Sequence, residues 1–201
     1  MINFNFSEDY ILENDRVQLR PLQLEDVAHL ETFSENEPEL FKYSISEVVG
    51  KENLKNYVNL TLNARENGTE YPFIVFDKKA GKYAGTTRFY DIQLKNKSLQ
   101  LGYTWYGQSF QGTGINASCK YLLLRFAFET LEIERVEFRA NNLNSRSIAA
   151  MKGIGCSVEG VLRKSVMEVS GLRRDTIVLS ILKEEWLKGI KEKLEAKLQT
   201  N

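Results

Sequence analysis

Gln111-Gly112-Thr113-Gly114-Ile115-Asn116 offers the clearest chemistry in the 201-residue chain. A glycine-bearing turn that feeds a helix leaves backbone N–H groups unpaired and aims the positive end of the helix dipole at the same spot, so it suits an anion. Gly112 and Gly114 permit backbone geometry that side chains would block and let a diphosphate approach closely, while Thr113 and Asn116 can add side-chain donors. Taken alone, G-x-G also marks ordinary turns. A dinucleotide-binding loop would follow a first strand in a run of βαβ units and carry a third glycine, which this loop lacks, Cys119 and Lys120 standing beyond it. No Gly-Lys-Ser/Thr follows Gly114, so a Walker loop does not fit either.

A second constellation, Asn144-Ser145-Arg146-Ser147, opens a short helix. Asn144 as N-cap puts Ser147 at the third helical position, where a reciprocal capping box would carry Glu or Gln, so Ser147 is not needed for capping. Ordinary solvation of a first helical turn is the competing reading. Cys119 and Cys156 are the two cysteines and His29 the one histidine. With no CxxC pair and no clustering, no metal site is expected, and both thiols read as packed.

These segments need a frame to hold them. Arg16 to Arg20 alternates like a strand, and Pro21 leads into a helix over Leu22 to Leu30; Lys51 to Glu66 is a second helix, ended by Asn67-Gly68. Tyr71 to Phe76, Tyr83 to Tyr90 and Leu99 to Trp105 read as strands joined by short turns, which makes an antiparallel meander. From Gly114 the period becomes helical, with Ile115, Cys119, Leu122, Leu123 and Phe126 recurring up to about Thr130. That helix is a crossover, so the alternating strand Arg135 to Ala140 should run parallel to the one before it. A helix over Ser145 to Gly153 and two strands, Val158 to Val169 and Leu172 to Leu182, meeting at a tight Ser170-Gly171 hairpin, complete the pattern. The expected class is α+β: a mixed, mostly antiparallel central sheet flanked by helices, with one βαβ unit.

Lys plus Arg and Asp plus Glu each total 27, so no net field draws the protein to nucleic acid or an anionic membrane. A small molecule or a peptide end is the expected partner. No apolar run reaches the roughly 20 residues of a spanning helix, and Met1 to Ser7 lacks the pattern of a secretion signal, so a cytoplasmic protein is expected. Residues 1–201 read as a single domain, closed by an amphipathic helix from Glu184 to Gln199 with Trp186, Leu187, Ile190, Leu194 and Leu198 along one side.

The loop and its surroundings together resemble the GNAT superfamily of N-acetyltransferases. Leu101-Gly102-Tyr103-Thr104-Trp105-Tyr106, Gln111 to Asn116, Lys120 to Leu124, Asn144 to Ser147, Glu159-Gly160-Val161-Leu162-Arg163 and Arg174-Asp175 are similar to the branch of ribosomal-protein N-terminal acetyltransferases, over roughly residues 16 to 186. The resemblance implies acetyl-CoA as cosubstrate, with no metal, in a cleft where the strand ending near Trp105 splays from the one containing Val136. Its diphosphate would lie on Gln111, Gly112, Thr113, Gly114, Ile115 and Asn116, and its pantetheine would pair with backbone near Thr104 and Trp105 and contact Asn144. Tyr103 and Trp105 serve equally well as sheet packing. Ser147 would hydrogen-bond or protonate the departing thiolate. Ser109 stands where the family pattern has Gln or Arg, which shifts the phosphate grip to backbone N–H groups.

The reaction so implied is attack of a neutral amine on the thioester. An α-amine, with a pKa of about 7.7–8.0, is an easier acceptor than a lysine near 10.4, and a protein N-terminus is one such acceptor. The family's carboxylate base aligns with Val166 or Met167; the neighbouring Glu168 could act after a bulge, or an ordered water could replace it. Arg173-Arg174 either steers an acidic peptide or is a solvated hairpin. A homodimer is compatible with all of this, and a noncatalytic acyl-CoA-binding protein is the alternative function.

Overall fold

The computed structural model describes residues 4–199, so the first residues of the Met1 to Ser7 stretch and both extremes of the 1–201 span lie outside the described residues. One eight-stranded sheet runs in the order β1-β2-β3-β4-β5-β6-β8-β7. Its strands are β1 (Leu12–Glu13), β2 (Val17–Pro21), β3 (Tyr71–Asp77), β4 (Lys82–Gln93), β5 (Ser98–Tyr106), β6 (Arg135–Asn141), β7 (Ser157–Met167) and β8 (Arg173–Leu182). The β5–β6 pair is parallel and every other pair antiparallel, as a long helical crossover between β5 and β6 requires.

Helices cover both faces. On one, α1 (Val27–Asn36) and α2 (Lys51–Glu66) bury Leu30, Leu54 and Val58 against Ile74 and Trp105. On the other, α3 (Ile115–Arg125) buries Cys119, Leu122 and Leu123 among Leu99, Leu101, Val136 and Phe138. Strand β6 shows why its sequence alternates: Val136, Phe138 and Ala140 enter the α3-side core, while Glu137, Arg139 and Asn141 point to the opposite face. The remaining helices are α4 (Ser145–Gly153), α5 (Lys183–Glu185) and α6 (Lys191–Gln199).

The mixed α+β sheet and the boundaries of α2 and α4 agree with the sequence expectations. Three details differ. The helix expected from Leu22 starts as a 3-10 turn at Leu24 and becomes α-helical at Val27, because Asp26 is held by Arg20 at 2.6 Å and takes the Gln23 N–H at 2.8 Å. The single C-terminal helix is broken: Gly189 adopts φ 146°, a π-turn spans Trp186–Ile190, and Leu187 faces outward, 58% exposed. Trp186 and Leu194 are buried, so two pieces dock where one stripe was expected. The last hairpin is wider than a Ser170-Gly171 turn, since β7 stops at Met167 and β8 starts at Arg173, with the Gly171 N–H closing on Glu168 O at 2.9 Å.

One close approach sets where β5 runs. Gly85 of β4 has φ 152°, and a Cβ there would lie 2.0 Å from the Trp105 carbonyl oxygen. A side chain would push the end of β5 away from β4. Gly85→Ala is therefore expected to lower the unfolding free energy by about 2 kcal/mol or more in chemical denaturation, and an unchanged midpoint would show that β5 yields freely.

Candidate functional site

The parallel ladder between β5 and β6 is short: Ser98, Leu99 and Gln100 pair with Arg135, Val136 and Glu137, and nothing beyond them pairs. Both strands continue, β5 to Tyr106 and β6 to Asn141, so they form the two arms of an open fork. A β-bulge makes the divergence. Thr86 faces Trp105 and Arg88 faces Gly102, so Thr87 opposes two residues, Tyr103 and Thr104. Tyr103 takes φ 49°, unusual for a side-chain-bearing residue, and the Arg88 guanidinium stacks 3.5 Å from its ring centroid. Arg88 is in turn held by Thr61 at 2.7 Å and by Glu70 at 2.8 Å.

At the mouth of the fork, β5 gives way to the glycine loop. Gly112 and Gly114 have φ 76° and 87°, Gly114 caps α3 in the left-handed region, and a Cβ on Gly112 would meet nothing within 4 Å. The Ser118 N–H closes on Gly114 O at 3.1 Å, and the N–H groups from Gly112 to Ala117 donate to no acceptor among the described residues. This is the open helix start that the sequence pattern demands.

The side chains around the loop do different work from that expected. The Thr113 hydroxyl donates to Phe110 O at 2.7 Å, so it braces the loop and is not a spare donor. Gln111 donates to Tyr106 O at 2.8 Å and accepts from Arg146 of α4, which links the loop to the second constellation. Arg16 reaches Thr113 O at 3.5 Å while paired with Asp77 at 2.8 and 3.0 Å. Two guanidinium groups thus flank a loop in which Ser109, itself exposed, offers no charge. Neither was singled out by sequence reasoning, because Arg16 is 97 residues from Thr113 and Arg146 is 35 from Gln111.

Asn144 caps α4 as expected, its Oδ1 accepting the Ser147 N–H at 3.0 Å. Its amide NH2 keeps both donors, and Ser147 is half-buried beside it. Trp105 is packing: its ring meets Phe41 at 5.2 Å and Phe33 at 6.1 Å in the α1–α2 core. Thr104 turns the other way, toward α3, where its hydroxyl meets Thr87 at 2.7 Å and Lys120 Nζ at 3.0 Å. Cys119 and Cys156 are buried thiols pushed up to about 12 by desolvation, in keeping with a packing role.

The face of the fork away from α3 is polar. Tyr90 and Tyr103 stand edge to face at 4.9 Å beside Glu137, Arg139 and Asn141. Glu168, just past β7, turns in and accepts from Asn141 Nδ2 at 2.7 Å. Arg174 is not a solvated hairpin residue: it is half-buried, donates to Tyr43 O at 2.7 Å, and ties the hairpin to the α1–α2 connection. Burial holds the Tyr90 hydroxyl well above its ordinary pKa and pulls that of Arg174 down.

A parallel pair splayed open inside an otherwise antiparallel sheet, with unpaired N–H groups at its mouth and guanidinium groups beside them, is a cleft suited to an extended ligand with an anionic end. Residues 16–157 match the family model described as the acetyltransferase (GNAT) domain. A crystal structure from T. thermophilus, described as an acetyltransferase, is 33% identical with a TM-score of 0.86, covering 98% of this chain and 100% of that one. YdaF of Bacillus subtilis (strain 168), named for ribosomal N-acetyltransfer, is 33% identical over 106 residues, 53% of this chain and 57% of that protein; the chain thus spans little more than half of that relative. Mycobacterium smegmatis RimJ in complex with CoA-disulfide shares the fold, with a TM-score of 0.77 at 21% identity over 94% of this chain and 93% of that one. The chain belongs to the GNAT acetyltransferase family.

The capping role of Asn144 can be separated from any cofactor contact. Asn144→Ala should lower stability by about 1 kcal/mol in urea unfolding, while Asn144→Asp, which keeps the acceptor, should not. Equal losses for the two substitutions would show that the amide NH2 and not the cap oxygen holds the turn.

Proposed function

We propose that this GNAT acetyltransferase holds acetyl-CoA in the β5–β6 fork and passes the acetyl group to a weakly basic amine, a peptide or protein N-terminal α-amine fitting best. The observation that carries the reading is the run of unengaged N–H groups from Gly112 to Ala117 at the fork mouth. A diphosphate takes such donors directly, and Arg146 adds positive charge beside them, the charge of Arg16 being already met by Asp77. In this reading the pantetheine follows the open edge of β5 at Thr104 and Trp105, and the free amide of Asn144 meets it from α4.

The acceptor comes from the polar face, under the α1–α2 connection that Arg174 anchors. An α-amine with a pKa of about 7.7–8.0 is partly neutral at pH 7 and needs little help to attack. Glu168, oriented by Asn141, is suited to take the proton that the amine loses, directly or through a water. The thiolate leaves toward Ser147, half-buried beside Asn144 at the start of α4, and a backbone N–H on the bulged strand can polarise the thioester oxygen. The α-amine preference follows from amine chemistry, and YdaF's name adds only a ribosomal acceptor. An acyl-CoA-binding protein without turnover gains no support from relatives named as acetyltransferases.

Incubation with acetyl-CoA and a peptide panel should release thiol at a rate that rises with pH as the acceptor α-amine deprotonates; no release with any amine at any pH would overturn the reading. Gly112→Asn, a residue that tolerates the φ of 76° there, should weaken acetyl-CoA binding at least about tenfold with the fold retained, since the added side chain occupies open space over the N–H groups. Ser147→Ala should cut kcat by about 10²-fold while leaving acetyl-CoA affinity near that of the wild type. If kcat holds, Ser147 is only a helix residue.

A further inference from the structure

Lys120 sits on α3 in surroundings unlike those of an ordinary lysine. It is 6% exposed, and the residues around it on the helix, Cys119, Tyr121, Leu122 and Leu123, are buried. Its Nζ donates to Thr104 Oγ1 of β5 at 3.0 Å and lies 5.7 Å from the ring centroid of Phe138 on β6. At that level the two strands no longer pair, so the ammonium spans the α3-side floor of the fork. No carboxylate pairs with it among the described residues. The titratable groups facing it are the Cys119 thiol on its own helix and the Cys156 thiol from the segment after α4, both neutral at physiological pH. An ammonium has three donors, and here one is used. A buried cation with two idle donors and no counter-charge is costly unless something else meets it.

We propose that Lys120 is a cofactor-facing residue: through the floor of the fork its ammonium donates to the carbonyl oxygens or the sulfur of the acyl-pantetheine arm. This rests on acyl-CoA occupying the fork as described above. The arm is uncharged and runs between two strands whose inner edges are open, so amide and thioester carbonyls are the acceptors that pass within reach of a floor donor. Thr104, bridging Lys120 and Thr87, fixes the amine in that position.

The assignment has a pH signature. Desolvation lowers the Lys120 pKa from 10.5 to about 8 in the free protein, and acceptors supplied by the arm raise it again. A pKa raised on binding means that affinity is fully present below about pH 8 and falls as the pH rises above it, with proton uptake on binding in that window.

Calorimetry of the full chain from pH 7.5 to 9.5, with acetyl-CoA and with adenosine 3′,5′-bisphosphate, which lacks the arm, tests this. Wild type should bind acetyl-CoA about tenfold or more tighter than Lys120→Met at pH 7.5, with the gap narrowing above pH 8 and proton uptake seen in the wild type alone. The armless nucleotide should bind both proteins equally. Equal acetyl-CoA affinity, or a loss shared by the armless nucleotide, overturns the proposal and assigns Lys120 to packing. If Lys120→Met does not fold, Lys120→Gln, which keeps donors but cannot titrate, should abolish proton uptake, and uptake persisting there overturns the proposal too. Failure of wild type to bind acetyl-CoA at all would instead bring down the fork reading itself.

Discussion

The architecture depends on a ladder that stops. Three residue pairs join β5 to β6, and the bulge at Tyr103 then carries β5 off its neighbour. A tyrosine at φ 49° is strained, and a bulge in the middle of a sheet gives up ladder hydrogen bonds. The strain is offset by a buried guanidinium: Arg88 lies against the Tyr103 ring, the Tyr57 ring is 5.4 Å away, and its Nη1 meets Glu70 and Thr61. Burial raises the Glu70 carboxyl pKa while Arg88 lowers it, so the pair holds together only as a unit. With Gly85 admitting the backbone of Trp105 from the other side, β5 is fixed where it must be for the fork to stay open.

Because the fork passes through the sheet, its two faces can differ in chemistry. The α3 side is mostly apolar, with the Thr87–Thr104 hydroxyl pair and Lys120 among its polar groups, and it leads to the N–H groups of the glycine loop. The opposite side carries two tyrosines, Glu137, Arg139, Asn141, Glu168 and Arg174. A molecule with an anionic end and a long neutral arm matches the first face, and a polar nucleophile matches the second. In the proposed reading, the divergence of two strands keeps cofactor and acceptor on opposite faces of one sheet.

Much of this was legible in the chain. Helices α2 and α4 carry their own boundary signals, in Asn67-Gly68 after one and Asn144 before the other, and local caps need no tertiary context. The glycine loop was readable for the same reason. What escaped was non-local. The cations that flank the loop come from sequence separations of 97 and 35 residues, and Thr113 looks like a spare donor until its bond to Phe110 is seen. The break at Gly189 was hidden by an apolar stripe that continues past it, since periodicity does not register a single residue at φ 146°. Lys120 sits inside a helical pattern whose other residues read as core, and only the position of Thr104 on the far side of the bulge gives its amine an address.

The order of the last strands bears on how the chain is made. Strand β8 is synthesised after β6 and β7 yet lies between them, pairing Arg135–Asn141 on one side and most of Ser157–Met167 on the other. Until residue 182 has left the ribosome, β6 has an open edge at the same place where the finished sheet is deepest, and β7 has no neighbour at all. At elongation rates of about 5–20 residues per second, that exposure lasts seconds, long enough for a chaperone to bind or for two nascent chains to pair at the wrong strand. The vulnerable period of this protein's life is therefore its birth, and slow codons before β8 would lengthen it.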